Sequence, residues 1–340
     1  MSFLSPFESL VPQEFETRWR SPSNIAFVKY WGKKGHQIPA NPSLSLTLKE
    51  CFTETYVKFT PSVEFKVELY LDGKKTDKFA SKIEKYLSSL DELPWLKNIS
   101  FHIETQNTFP HGTGIASSAS GLSAFALCLT DYLFHLSDEK NNRLNVASYL
   151  ARLASGSACR SIYGGFSTWG HESDLYATPF EVHHDFFGLR DSVLVVSVDE
   201  KEVSSTAGHG RMEDHAFAEA RFSQAKNNFN SMSGALKNGD MDLVGRILES
   251  EALSLHAMML TSPEAYTLLK PQTLSVINMI WSFRRETKLP LYFTLDAGPN
   301  LHLIYPEAYE QKIQTFINYE LLPMAENVIH DQRGEGPQKC

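Results

Sequence analysis

Cysteine is scarce and scattered. The 340 residues hold four, Cys51, Cys128, Cys159 and Cys340, and none stands at a spacing that a zinc site or a disulfide framework uses. A reduced, cytoplasmic setting is the expectation. Positive charge is also in deficit: the formal net charge of −8 argues against a broad nucleic-acid or anionic-membrane surface, so any phosphate must meet a local group of cations. No basic-then-apolar signal pattern stands near Met1, and no apolar run reaches the about 20 residues that cross a bilayer. Repeats and low-complexity tracts are missing as well. One omission is specific: the glycine-rich stretch at 107–127, NTFPHGTGIASSASGLSAFAL, lacks the Gly-Lys-Ser ending of a Walker-type loop.

What is present is ordinary in bulk and unusual in detail. With 42% hydrophobic and 21% charged residues, the chain is long enough for two domains with their own cores. The 107–127 stretch reads as a strand running into a glycine- and serine-rich loop and then a helix. Gly112, Gly114 and Gly121 let backbone approach a ligand, and the helix's first N–H groups lack internal partners. Ser117 and Ser118 add hydroxyls there. The pattern fits a phosphate cradle and a serine-capped packed helix equally.

Upstream, SPSNIAFVKYWGKKGHQIPANPSLSLTL (21–48) gives two β-type runs around a Gly/Pro/Asn connection. Lys29 and Lys33 bracket Tyr30 and Trp31, an arrangement for flanking one anion or for a solvated surface. Asn41, Ser43 and Ser45 alternate, placing three small polar groups on one strand face. Residues 53–60 and 64–79 alternate around Asp72-Gly73 and predict antiparallel strands with one solvated face. A short helix at 79–90 and a strand at 98–105 follow. Leu122, Phe125, Ala126, Leu129 and Leu133 then make a core-facing helical stripe, and Leu144, Ala147, Ala151 and Ala154 a second. It runs into ASGSACRSIYGG (154–165), where Arg160 has serines rather than acids for neighbours. Its fork is open to an outside carboxylate or phosphate, or to a distant acid.

From Asp191 the texture changes. A β-branched run, helical patterns at 212–236, 241–259 and 272–286, strands at 291–295 and 301–305 and a final helix predict an α+β sandwich, with a boundary near residue 189. VSSTAGHG (203–210) lies after the first strand. In LYFTLDAGPN a strand stops at Asp296, which suits either a catalytic acid or a plain Gly-Pro turn.

Taken together, NIAFVKYWGKK, NPSLSLTL, FPHGTGIASSASG, SGSACRSIYGGF, VSSTAGH and FTLDAGPN resemble the mevalonate diphosphate decarboxylase family of the GHMP kinase superfamily, in order and across nearly the whole chain. KYWGK, SGSACRS and DAGPN are particular to the decarboxylase branch. The resemblance implies an α+β, two-domain GHMP kinase fold: a ribosomal-protein-like α/β domain over 1–188 that binds ATP, and a ferredoxin-like α+β sandwich over 189–340 that carries the catalytic acid. The active site would lie in the cleft between them. It further implies a cytoplasmic homodimer that takes ATP, Mg²⁺ and mevalonate 5-diphosphate, with neither nucleic acid nor membrane as partner.

In that family the tertiary 3-hydroxyl is phosphorylated, and phosphate and carbon dioxide are then lost together to give isopentenyl diphosphate. Carried over, Asp296 would orient the 3-hydroxyl and accept its proton, Lys29 would stabilise charge near the transferred group, and Arg160 would grip the substrate carboxylate. Tyr30, Lys33, Ser155, Ser157, Ser204 and Ser205 would position the substrate. Asn107, Gly112, Gly114, Ala116, Ser117 and Ser118 would hold the nucleotide, Ser118 also meeting Mg²⁺ on the ATP phosphates. Four departures stand out. Gly35 and His36 follow the lysine pair where Asp is frequent, His111-Gly112 replaces an alanine-type sequence, and His209 replaces a frequent Met. An Arg for the distal phosphate has no clear equivalent, Lys78 being the nearest candidate. A decarboxylase of mevalonate 5-phosphate, a mevalonate 3-kinase and a catalytically silent binding protein are the competing readings.

Overall fold

Two long strands organise the first half. Phe15–Val28 and Ser43–Pro61 pair antiparallel, from Phe15 opposite Phe59 to Val28 opposite Leu44, with register shifts between Pro22 and Asn24 and between Ala26 and Val28. The computed structural model describes residues 3–110, 117–199 and 203–340. The second edge of Ser43–Pro61 divides: Phe166–Trp169 pairs with its beginning and Ile99–Asn107 with its end. Beyond these lie Thr178–Phe180 on one side and Lys66–Leu71 and Lys74–Lys75 on the other.

The strand order corrects one expectation. Residues 53–60 and 66–71 are not neighbours, because Ile99–Asn107 lies between them and pairs parallel with Lys66–Leu71. The tight turn at Asp72 and Gly73, both at positive φ, joins Lys66–Leu71 to Lys74–Lys75 instead. Helix Asp77–Ser88 then makes the crossover that a parallel pair requires. Ile99, Phe101 and Ile103 are almost wholly buried, and this fully apolar face is what earns the strand an inner position.

Helix Ser117–Leu136 covers the sheet and corrects a second expectation. Its 20 residues are long and apolar enough to cross a membrane by length and composition, yet 72% of its most apolar window is buried inside the protein. It is a core helix: Phe125, Leu129 and Tyr132 pack with Phe59 and Phe101. Helix Arg143–Ala154 adds Val146, Ala147, Leu150 and Ala151 to that core, while Leu144, expected inside, is exposed. A 3₁₀ segment, Gly156–Ile162, follows at once.

The second sheet runs Tyr292–Thr294, Leu301–Pro306, Leu189–Val195, Asn327–Gln332, antiparallel throughout. Leu194, Leu301, Leu303 and Tyr305 pack with helix Pro271–Thr287 and helix Glu310–Phe316. Strand Asn327–Gln332 escapes the sequence because NVIHDQ is polar and half-exposed; it exists by pairing with Leu189–Val195. The helix expected at 212–236 begins only at Ala218 and runs to Asn238, and a separate short helix, Ser205–Gly210, precedes it. Between them His215 accepts the N–H of Phe217 and its other ring nitrogen lies 3.0 Å from Met258 O.

The halves share a core. Val193, Val195 and Ile304 of the second sheet cluster with Phe27, Leu44 and Leu46 of the first and with Phe229 and Leu248 of the helices. Asp331, on Asn327–Gln332, accepts the backbone N–H groups of Lys49, Glu50 and Cys51 at 2.8–2.9 Å. Those donors lie where Ser43–Pro61 changes partners and would otherwise be orphaned. Finally Gln338–Lys339 returns to the first sheet and pairs with Trp19 and Arg20.

Candidate active site

Lys29 leaves the end of Phe15–Val28 and is 1% exposed. Its ammonium donates to Asp296 Oδ1 at 2.9 Å and to Ala26 O at 2.7 Å. The backbone is fixed on both sides, since Lys29 N–H donates to Glu251 Oε2 (2.8 Å) and Lys29 O accepts from Asn41 Nδ2 (3.0 Å). Burial pulls the ammonium's pKa below its usual value, against the opposing charges of Asp296 and Glu251.

Asp296 arrives from the other half, just beyond strand Tyr292–Thr294. Gly298 N–H donates to its carbonyl (2.7 Å), and Asn300 locks the turn by accepting from Val196 and Ser197 N–H and donating to Ser197 O. Its side chain keeps 28% exposure, so part of it stays open to solvent. Burial pushes its pKa up, but the Lys29 ammonium beside it, helped by His302 and Arg160, wins and holds it below the ordinary aspartate value. His302 in turn pairs with the buried Asp191 at 2.7 Å.

Arg160 sits in the 3₁₀ segment, 2% exposed. It donates to Ser43 Oγ (2.6 Å) and Asn24 Oδ1 (3.4 Å), and among the described residues no carboxylate pairs with it. Burial lowers its pKa, opposed by Cys159 and Asp296, so the guanidinium lies within electrostatic reach of the acid. A buried cation held by neutral groups is an anion site in waiting. The polar face of Asn41, Ser43 and Ser45 is thus buried scaffold: two of the three orient Lys29 and Arg160.

Tyr30 packs edge-on against Trp169, with centroids 4.7 Å apart, and against His209 at 4.4 Å. Burial raises its pKa, so it remains a phenol. Gly156 lies beneath it: a Cβ there would stand 2.8 Å from the Tyr30 hydroxyl and 2.9 Å from Trp169. Flanking Gly156, Ser155 and Ser157 are half-buried. Lys33 is half-buried too, its pKa lowered by burial, and among the described residues it has no ion-pair partner. Arg152 pins the loop beyond by donating to the carbonyls of His36 and Gln37, which leaves the His36 side chain exposed.

His209, whose task the sequence leaves open, faces this loop. It accepts Gly32 N–H on Nδ1 (3.0 Å), lies between Tyr30 and Trp31, and burial pushes its pKa down to about 3. The ring is neutral with its proton on Nε2. Ser204 caps helix Ser205–Gly210 by accepting Ala207 N–H, and both serines are exposed. Lys78 is elsewhere, on helix Asp77–Ser88 over Lys66–Leu71, three strands from Phe15–Val28.

Beside the start of helix Ser117–Leu136, Asn107 accepts from Thr53 Oγ1 (2.7 Å), which also bonds Ser120. Ser117 and Ser118 open helix Ser117–Leu136, whose first turn carries no acid. Ser118 is exposed and its neighbouring N–H groups favour an anion, so these residues fit ATP phosphates and their Mg²⁺. His111, Gly112, Gly114 and Ala116 lie outside the described residues.

Sequence reasoning missed Glu251, Arg221, Asn228, His256 and the Asp191–His302 pair. One signal was available: Glu251 falls on the stripe Val244, Leu248, Glu251, Leu255 of helix Met241–Leu260, where an acid has no business unless paired.

The comparisons agree with one another. A family model described as Diphosphomevalonate decarboxylase-like N-terminal domain matches residues 21–178, and one described as Mevalonate 5-diphosphate decarboxylase C-terminal domain matches residues 192–339. The diphosphomevalonate decarboxylase of Candida albicans is 30% identical, with 87% of this chain aligned to 86% of that one. The phosphomevalonate decarboxylase of Haloferax volcanii is 26% identical over 84% of this chain and 87% of its own. Among solved structures, MDDEF in complex with MVAPP, AMPPCP and magnesium superposes with a TM-score of 0.86 at 29% identity, covering 96% of this chain and 99% of that one. Mevalonate diphosphate decarboxylase from Staphylococcus aureus gives 0.84 at 30% identity, covering 96% and 98%.

Proposed function

This chain belongs to the diphosphomevalonate decarboxylase family, and from that premise we propose that it converts mevalonate 5-diphosphate and ATP to isopentenyl diphosphate, ADP, phosphate and carbon dioxide. The observation that carries the reading is the meeting of Lys29 and Asp296 across the two halves, beside a buried Arg160 with no acid of its own. We assign the nucleotide-binding domain to residues 1–188 and the acid-bearing domain to 189–340.

The residues divide the work. Asp296, kept ionised by Lys29, orients the 3-hydroxyl and takes its proton as the oxygen attacks the γ-phosphorus of ATP. Lys29 stabilises the charge gathering on the transferred group in a site where burial magnifies its effect. Arg160 holds the substrate carboxylate so that the bond from it to the adjoining carbon aligns with the new phosphate. That bond then breaks, its electrons form the carbon–carbon double bond, and the phosphate leaves with the C–O pair. Ser118 would help hold Mg²⁺ at the nucleotide phosphates, where the ion would supply charge neutralisation. Asn107 and Ser117 bound the nucleotide, while Tyr30, Lys33, Ser155 and Ser157 bound the substrate, with Ser204 and Ser205 at the rim. Buried free thiols at Cys51, Cys128 and Cys159 accord with a cytoplasmic enzyme, and its family with a homodimer.

One observation favours mevalonate 5-phosphate as the second reading. Lys78 lies away from the cleft, and Arg211, just past His209, is claimed by Glu264 at 2.8 Å and stacks on Tyr266. Lys33, half-buried and with no ion-pair partner among the described residues, is then a cation available to a phosphate tail. The deciding experiment offers the purified protein ATP with mevalonate, its 5-phosphate or its 5-diphosphate and scores ADP and carbon dioxide separately. Fastest release of both from the diphosphate is expected. ADP without carbon dioxide means a 3-kinase, and silence on all three refutes the proposal.

A further inference from the structure

Helix Met241–Leu260 grips both members of the Lys29–Asp296 pair by their backbones. Glu251 Oε2 accepts Lys29 N–H at 2.8 Å, and five residues on, His256 Nε2 lies 3.2 Å from Asp296 O. One rigid element therefore holds the two partners that have to meet across the cleft.

Glu251 is built for such a task. It is fully buried, and besides Lys29 N–H its carboxylate accepts from Arg221 Nη1 (2.9 Å), Arg221 Nη2 (2.5 Å) and Asn228 Nδ2 (2.7 Å). Four donors fill its two oxygens. Arg221 and Asn228 both belong to helix Ala218–Asn238, so two helices of the second half clamp one acid whose remaining bond reaches the first half. An ion pair serving only to join those helices needs no bond to the lysine of another sheet.

We propose that Glu251 is a positioning residue for phosphoryl transfer: through the Lys29 N–H it sets where the ammonium stands relative to Asp296 and the ATP tail, with Arg221 and Asn228 keeping it rigid. This rests on the reading of Lys29 and Asp296 as catalytic. Both carboxylate oxygens of Glu251 are taken by protein donors, so its loss acts on turnover rather than on affinity, a displacement of about 1 Å in a reacting group costing on the order of 100-fold in rate.

Two full-length variants test it against the wild type, by kcat and KM for ATP and mevalonate 5-diphosphate and by urea unfolding. Glu251→Leu with Arg221→Leu removes the anchor without leaving a buried charge alone, an exchange that proteins commonly tolerate. Glu251→Gln keeps an oxygen for Lys29 N–H. Expected are a kcat lower by about 100-fold in the double variant and by five- to tenfold in Glu251→Gln, each with both KM values within about threefold of wild type. Wild-type kcat in either folded variant overturns the proposal, and Glu251→Gln decides alone if the double variant does not fold. Wild-type protein inactive on mevalonate and both its phosphates sinks the underlying decarboxylase reading, an outcome read before any variant is made.

Discussion

Lys29 Nζ lies 2.9 Å from Asp296 Oδ1, although the two residues are 267 positions apart. Neither is placed by its neighbours in sequence alone. Each is set by backbone bonds, Lys29 through Glu251 and Asn41, Asp296 through Gly298 and His256.

Replacing Asp296 with Asn keeps the shape of the turn and removes the proposed base. The expected loss is about 1000-fold in kcat with little change in the circular dichroism spectrum. Because Lys29 holds the folded-state pKa of Asp296 below the ordinary value, the acid is ionised throughout the neutral range. Its contribution to stability is therefore present above the unfolded pKa and lost as pH falls through the lower, folded one. Measured kcat between pH 5 and 8 will show no inflection from this group; an acid limb there that Asp296→Asn abolishes would contradict the assignment.

Arg160→Ala separates the two chemical steps. The 3-hydroxyl still faces Asp296, so ADP release continues at a reduced rate, whereas carbon dioxide release falls by about 1000-fold for want of the carboxylate clamp. Paired single-turnover assays give the ratio of ADP to carbon dioxide, and a ratio that stays at one removes Arg160 from decarboxylation.

His209 makes stability fall with acid. Its folded pKa of about 3 lies below the usual 6.5, so between those values the unfolded chain carries a proton that the folded one does not. Stability is then fully present above about pH 6.5 and drops by about 1.4 kcal/mol per pH unit below it. Between pH 7.5 and 5.5 wild-type protein should lose about 1.4 kcal/mol more than His209→Met in urea titrations.

At Gly156 the added methyl of alanine meets the Tyr30 hydroxyl and the Trp169 ring, both buried. Tyr30 shifts toward the substrate, and the KM for mevalonate 5-diphosphate should rise about tenfold with the KM for ATP unchanged. Equal rises in both constants would point to a general loosening instead.

Asp331→Ala orphans three consecutive backbone N–H groups at the junction of the sheets. A stability loss of about 3 kcal/mol is expected from urea unfolding, with kcat nearly unchanged at temperatures where the protein stays folded.

Much of the candidate site was legible in the sequence because its residues sit where elements end. KYWGK closes a strand, SGSACRS follows a helix, and LDAGPN stops a strand, so glycine, proline and small polar residues mark them. Asn41 and Ser43 were recognised as one polar face, but their service to Lys29 and Arg160 needs the pairing of Ser43–Pro61 with its neighbours. Pairing partners are set by distant contacts, which is why the place of Ile99–Asn107 and the strand Asn327–Gln332 went unread. Glu251 shows the same limit, since an acid on an apolar stripe announces a partner without naming it.

The return of Gln338–Lys339 to Trp19 and Arg20 bears on biosynthesis. Lys339 also reaches Asp131 at 2.6 Å, and Cys340 N–H bonds Arg18 O, so part of this flank of Phe15–Val28 is covered by residues made long after it. Until they emerge from the ribosome, Phe15–Val28 presents a bare margin to any passing extended segment. Substitutions that abolish the Gln338–Lys339 pairing would hold that margin open, and the cost would appear as aggregation during expression rather than as slower catalysis.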